Sequence, residues 1–186
     1  AHSTFVYGPT GRGLAEHFGL DDEVDIHLGT FSKSLGGLGG FVAGPQELIW
    51  YLRGFARSRV FSCALPPGVV AGLLKALEIA RNEPELREKL WDNARYMHEL
   101  LHEAGVDVGD STSQVISIMI RDDAGIFQIA EDLLRAGVYI NPVRYPAVGK
   151  HKSRFRMSIS AAHSRSDLEE GARIITSVLG KHGKCP

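Results

Sequence analysis

The spacing of apolar residues predicts two short strands and two helices in the first part of the chain. Apolar residues over 24–30 and 40–44 predict the strands, with a glycine-rich segment between them. A helix is expected over 45–54, since the proline at its first position needs no N–H partner there. Residues 67–82 carry Val, Leu and Ile at helical spacing, which predicts a helix with a wide apolar face. Trp50 is expected to lie in the core.

The second part of the chain predicts a regular α+β lobe. A long helix is expected over 84–104, where apolar residues recur every three or four positions. From Asp107 onward the pattern becomes strand, helix, strand, strand, helix. Strands are expected at 114–120, 138–141 and 154–160, and helices at 126–136 and from a capping box at Ser166 to about Leu179. The last residues, 180–186, are expected to fray.

Composition and charge narrow the classes of function. The 186 residues carry a formal net charge of −1, so no basic field argues for a nucleic-acid partner. No apolar run is long enough for a membrane span, and the first residues are not typical of a secretory signal. Cys63 and Cys185 suggest neither a metal cluster nor a disulfide framework, so a cytoplasmic location is expected.

The stretch with the most specific chemistry runs from Gly29 to Gly40. It reads Gly-Thr-Phe-Ser-Lys-Ser-Leu-Gly-Gly-Leu-Gly-Gly and places Lys33 among small residues, three positions after Thr30. Glycine-rich turns let backbone N–H groups approach an anion, and a lysine amine can hold an aldehyde as a Schiff base. The combination suits a phosphate-bearing aldehyde. A lone Ser-Lys-Ser would indicate only a solvated loop lysine.

This stretch resembles the lysine motif of the α-oxoamine synthases, a family of fold-type I enzymes that depend on pyridoxal 5'-phosphate (PLP). Similar matches recur along the chain. They are Ala1-His2-Ser3 with Gly8 to Gly13, Phe61 to Pro67 with its Leu-Pro-Pro, residues 138–148, and Arg154 to His163 with its terminal Ala-Ala-His. The resemblance implies an α/β fold of the fold-type I (aspartate aminotransferase-like) transferases.

The resemblance also implies how the domains are arranged. Residues 1–83 would form the later part of the PLP-binding large domain, and 84–186 the small C-terminal domain with its leading long helix. In the family the Ala-His-Ser tripeptide follows an acidic pair, whose Asp pairs with the pyridinium nitrogen of PLP. That Asp would lie two residues before Ala1. We therefore expect the chain to be the C-terminal portion of a longer protein, which could be inactive alone.

Cofactor contacts follow from the same resemblance, one position at a time. Lys33 would carry PLP as a Schiff base and later act as the catalytic base. Thr30 and Ser62 would contact the phosphate, with Ser62 reaching the cofactor of a neighbouring subunit in a homodimer. His2 would contact the phenolic oxygen of PLP. From the residues alone, His2 could equally be a surface histidine, and Ser62 could bond only to nearby backbone.

An arginine from the C-terminal lobe holds the substrate carboxylate in the family, since its forked guanidinium binds a carboxylate bidentately. Arg156 fits the strand position best, Arg144 fits a loop arginine, and Arg154 is the weaker candidate. The implied reaction condenses a small amino acid with an acyl thioester, either acyl-CoA or acyl carrier protein, with decarboxylation to an α-aminoketone. The segment 149–153 is longer and more basic than the family's turn, which suggests contact with an anionic thioester carrier.

Two other classes of function stay open from the sequence. Lys33 alone is compatible with another fold-type I activity, such as a decarboxylase, a lyase or an aminotransferase. A non-catalytic partner subunit is the other alternative, although such subunits typically lack the lysine.

Overall fold

The computed structural model describes residues 1–185, which divide into two compact units, Ala1–Arg87 and a second unit beginning at Glu88. The domain boundary implied by the resemblance stays a prediction. The first unit contains α1 (Leu14–Phe18), a 3₁₀ turn (Asp21–Glu23), β1 (His27–Thr30), β2 (Gly40–Ala43), α2 (Gln46–Phe55), α3 (Arg57–Val60) and α4 (Pro67–Asn82). Helix α5 (Glu85–Glu103) leads into β3 (Val115–Met119), α6 (Ile126–Arg135), β4 (Asn141–Val143), β5 (Arg154–Ser158) and α7 (Arg165–Lys181).

The first unit is built around the antiparallel pair β1 and β2. Thr30 lies opposite Gly40 at the end of this pair, so the strands close a loop over residues 31–39 that carries Lys33. The expectation that Trp50 lies in the core is wrong, because 67% of it is exposed. The physical reason is that this unit has little apolar interior. Apart from glycines, its only buried apolar residues are Val6 and Leu73.

The second unit has a continuous core. Its three strands are antiparallel in the order β3-β5-β4. One face of the sheet buries alternate residues, among them Ile116, Ile118 and Phe155, as the period of two in a strand requires. Apolar residues of α5, α6 and α7 join the same cluster. The strand–helix–strand–strand–helix pattern is confirmed, but the strand expected at 138–141 lies at Asn141–Val143.

The last helix starts earlier than expected, and the residues that follow it make more contacts than expected. Its N-cap is Ser164, whose hydroxyl accepts from the Asp167 N–H while Asp167 accepts from the Ser164 N–H, so the capping box lies two residues before Ser166. The expected fraying at 180–185 is also wrong. His182 bonds Asp132 at 2.9 Å, Lys184 pairs with Asp122 at 3.2 Å, and Cys185 packs against the core cluster. Pro186 lies outside the described residues.

No helix among residues 1–185 combines the length and the apolar character that crossing a bilayer needs.

Two neighbouring leucines on α6 test how the second unit is stabilised. Leu133 is fully buried, whereas 57% of Leu134 is exposed. Leu133→Ala should lower the free energy of unfolding by about 2–5 kcal/mol, because it leaves a cavity in the core. Leu134→Ala removes the same atoms from the surface and should cost less than about 0.5 kcal/mol. Urea unfolding followed by circular dichroism measures both, and equal losses would contradict the assigned core.

Candidate active site

Lys33 lies in a tight loop that the backbone closes on itself. The Phe31 N–H donates to Gly39 O at 2.9 Å, and the Gly37 N–H donates back to Phe31 O at 2.8 Å. Lys33 O accepts from the Gly36 N–H at 3.0 Å. The Lys33 side chain itself is exposed. The loop therefore fixes the backbone of Lys33 and leaves its amine accessible.

Two glycines make this loop possible. Gly39 has φ +94°, a conformation that L side chains rarely adopt. A Cβ on Gly40 would lie 2.5 Å from the carbonyl oxygen of Gly29, where a backbone atom cannot move aside. The glycine run that suggested an anion site is thus also required for the close pairing of β1 with β2.

The hydroxyl of Thr30 lies at the start of the loop. Its Oγ1 is 2.8 Å from the Oγ of Ser32 and also accepts from the Ser32 N–H at 3.2 Å. The Thr30 hydroxyl also donates to Gly39 O at 3.3 Å, which links the two ends of the loop. Two hydroxyls and an accessible lysine amine therefore lie on one short loop, as binding of a phosphate-bearing aldehyde requires, so the residues present fit PLP.

The segment that contains His2 lies beside this loop. The Ser34 hydroxyl, one residue after Lys33, donates to Thr4 O at 2.7 Å. His2, two residues before Thr4, is half-buried. The structure therefore brings together two sequence motifs about thirty residues apart, as the resemblance implied. The specific contact of His2 with a cofactor oxygen stays a prediction.

Ser62 follows α3 in an exposed stretch. Its hydroxyl donates to Ser58 O, which is the local backbone contact considered from the sequence. Its neighbour Phe61 is 84% exposed. The hydroxyl oxygen can still accept, so this bond does not exclude a second partner.

Arg156 lies on the exposed face of the sheet in the second unit. It is the central residue of β5, with Ser117 of β3 and Asn141 of β4 as its register partners. A cavity of about 360 Å³ is lined by Arg156 together with Asn141, Ser158 and His163. A guanidinium, an amide and a hydroxyl around one cavity form a suitable donor set for a carboxylate.

Arg144 lies elsewhere in the second unit. Its Nη1 donates to Asp123 O at 3.1 Å, and its guanidinium lies 4.7 Å from the centroid of the Phe127 ring. Arg144 does not line the cavity beside Arg156. The structure of this unit therefore favours Arg156 as the substrate arginine, while the role of either residue stays a prediction.

One positioning residue has no sequence motif. Asn93 of α5 is buried, and its Nδ2 donates to Ser160 O at 3.0 Å and to His163 O at 2.9 Å. These bonds hold the Ala-Ala-His turn that follows β5 against the helix. The only signal in the sequence is an asparagine at an otherwise apolar-facing position of α5, next to Ala94.

The described residues contain no group of three or more His, Cys, Asp or Glu side chains that could hold a metal ion. His98 and His102 have ring centroids 6.5 Å apart on α5 and lack a third ligand.

Comparison with known proteins gives the family. The profile of aminotransferase class I and II matches residues 1–175. The 8-amino-7-oxononanoate synthase of Symbiobacterium thermophilum is 42% identical over 96% of this chain and 45% of its own length. Serine palmitoyltransferase of Sphingobacterium spiritivorum is 45% identical over 96% of this chain and 45% of its own length. A high-resolution structure of serine palmitoyltransferase with PLP matches with a TM-score of 0.94 at 33% identity, over 99% of this chain and 47% of that one.

The chain thus spans about half the length of the relatives that it matches. The expected fold-type I transferase fold is confirmed for this portion. The chain belongs to the aminotransferase class I and II family of PLP-dependent enzymes, and its relatives there are α-oxoamine synthases.

Proposed function

We propose that this chain carries the cofactor lysine and the substrate arginine of an α-oxoamine synthase. The enzyme would condense a small amino acid with an acyl thioester, release CO2 and form an α-aminoketone. The observation that supports this most is the closed Lys33 loop, with Thr30, Ser32 and the glycine backbone beside an accessible amine. The relatives named for this chemistry match it across 96% of its length.

PLP is the cofactor that this loop would hold. Lys33 would bind its aldehyde carbon, and Thr30 and Ser32 would donate to its phosphate, because both hydroxyls lie at the end of β1 next to the loop. When bound, PLP supplies an electron sink for negative charge at the α-carbon of the amino acid. His2 would donate to the phenolic oxygen from the segment that Ser34 holds beside the loop.

The Lys33 amine would also move the proton. With the amino acid bound, the Lys33 amine would accept the α-proton and return it later. The loop suits this role because its backbone bonds keep the lysine Cα fixed while the side chain stays free to swing.

Arg156 would orient the amino acid through its carboxylate. A bidentate guanidinium fixes the direction of the carboxylate as well as its position. This orientation determines which bond of the α-carbon is broken. Asn141 and Ser158, which line the same cavity, would add single hydrogen bonds. Arg144 is the second candidate for this contact.

A homodimer would complete the site. Ser62 would donate to the cofactor phosphate of the second subunit, and the exposed Phe61 beside it supports burial of this stretch in an interface. Other large apolar residues of the first unit are exposed as well, including Leu28 and Phe55. The cytoplasmic location stays a prediction.

The rival activities differ in what they do with the amino acid. Another fold-type I enzyme would use the same Lys33 loop without a thioester. A non-catalytic subunit would not need the lysine, and its presence here argues against that role. The similarity to 8-amino-7-oxononanoate synthase and serine palmitoyltransferase supports the synthase over these alternatives.

Lys33→Ala tests the cofactor site. The intact protein should show a visible absorption band with PLP that shifts when its own amino acid is added, with glycine, alanine and serine tried in turn. Borohydride should fix the cofactor covalently to Lys33. The variant should lose the fixed cofactor, while Lys75→Ala, another exposed lysine of the first unit, should behave like the parent. A band that survives Lys33→Ala unchanged would disprove the assignment.

Arg156→Lys tests the substrate arginine. Lysine keeps the charge but cannot bind a carboxylate bidentately. The KM for the amino acid should rise about tenfold or more, and the KM for the thioester should change less. Arg144→Lys is the matched comparison. If only Arg144→Lys raises the KM for the amino acid, the two assignments must be exchanged.

Phe61→Asp tests the dimer. Light scattering of the intact protein should give twice its chain mass, and Phe61→Asp should lower this mass and weaken PLP binding together. Ser62→Ala should weaken PLP binding in a protein that is still dimeric. Cys63→Ser, at the adjacent exposed residue, serves as the control. A monomeric parent that binds PLP normally would rule out the shared site.

A further inference from the structure

Positive charge is concentrated in one part of the second unit. Residues 133–166 hold seven of the chain's 21 Lys and Arg residues and none of its 22 Asp and Glu residues. Four of the seven, namely Arg144, Lys150, Lys152 and Arg154, lie on the loop between β4 and β5 and at the start of β5. We call these four residues the basic strip.

Among the described residues, no member of the basic strip has an acidic partner, whereas several other cations of this unit do. Arg121 pairs with Asp107, Arg135 with Glu131 and Arg173 with Glu170. Within the part of the chain that the structure describes, no residue of the strip has a carboxylate oxygen within 4.0 Å. The strip's positive charge is therefore available to an external anion.

One acidic residue lies under the loop, and it is already occupied. Asp123 Oδ2 accepts from the His151 N–H at 3.2 Å. This backbone bond and a contact with the Ser153 hydroxyl hold the pKa of Asp123 below its usual range. Asp123 thus acts as an anchor that keeps the loop in place.

Two of the four cations of the strip lie against exposed aromatic rings. Arg144 lies over Phe127, which is 49% exposed, and Lys150 Nζ is 5.6 Å from the centroid of Tyr145, which is 54% exposed. Arg154 donates its Nε–H to Lys152 O, which ties the loop to the strand. Exposed aromatic side chains among unpaired charges of one sign are typical of a docking surface for a protein of opposite charge.

The strip also has a defined position relative to the cavity. Arg154 and Arg156 are two residues apart on β5 and therefore lie on the same face of the sheet. Their Cα atoms are about 7 Å apart. None of the strip residues lines the cavity itself. A partner on the strip would lie next to the cavity without filling it.

Building on the proposed function, we propose that the basic strip docks an acidic acyl carrier protein, which delivers the acyl thioester on its phosphopantetheine arm. Free acyl-CoA is the other possible donor. The strip favours the carrier because its cations are spread along an exposed loop with aromatic anchors and do not converge on one phosphate-sized pocket.

The test is a direct binding measurement that needs neither turnover nor PLP. An acyl carrier protein bearing a non-cleavable acyl thioether on its phosphopantetheine is titrated into the intact protein by calorimetry. The double variant Lys150→Glu, Lys152→Glu should raise the Kd about tenfold or more. Raising the salt from about 50 to about 300 mM should weaken binding to the parent more than to the variant.

Matched controls separate this effect from loss of folding and from net charge. Lys89→Glu, Lys181→Glu changes net charge equally at exposed lysines on α5 and α7 and should leave the Kd unchanged. The neutral pair Lys150→Gln, Lys152→Gln should give an intermediate Kd with an unchanged melting temperature. A parallel titration uses the same acyl thioether on CoA.

Two results would overturn the proposal. One is an equal carrier Kd for the parent and for the strip variant. The other is a loss of CoA binding in the strip variant as large as its loss of carrier binding, which would assign the strip to CoA phosphates. Failure of the proposed function would appear separately, as absence of borohydride-fixed PLP at Lys33.

Discussion

The Lys33 loop depends on the close pairing of β1 with β2. Because a side chain at Gly40 would collide with the carbonyl of Gly29, the two strands can approach at this end only with glycine there. That approach sets the two backbone bonds that close the loop and the position of the Thr30 hydroxyl. A single steric requirement therefore determines where the Lys33 backbone and the Thr30 hydroxyl lie.

The second unit differs from the first in that its packed sheet carries an exposed arginine. Its sheet buries Phe155 on one face and carries Arg156 on the other, so the rigid core supports an exposed charge. Asn93 then fixes the turn after the strand through two carbonyl oxygens. An arginine on a well-packed strand extends from a fixed Cα, which favours orientation of a small substrate.

The sequence predicted elements well where the signal was local. Helix α4 was expected over 67–82 and spans Pro67–Asn82, because proline at its first turn and a wide apolar stripe both mark it. The capping box was misplaced because Ser164 and Ser166 are each followed three residues later by an acid. Glu169, the acid that would serve Ser166, instead accepts a bond from Tyr96 at 2.6 Å.

What the sequence could not show were contacts between distant residues. The pairing of His182 with Asp132, and the bonds of Asn93 to residues about seventy positions away, have no local pattern. The exposure of Trp50 depends on how little apolar interior the first unit has. The motifs around Lys33, by contrast, indicated the site because a glycine-rich turn beside a lysine is itself the chemical feature.

The most direct test of the central claim is CO2 release from a carboxyl-labelled amino acid by the intact protein, with and without an acyl thioester. The Lys33→Ala variant serves as the blank. The account predicts that CO2 appears only when the thioester is present, in amounts equal to the free thiol formed. Release of CO2 without any thioester would identify a decarboxylase and contradict the synthase assignment.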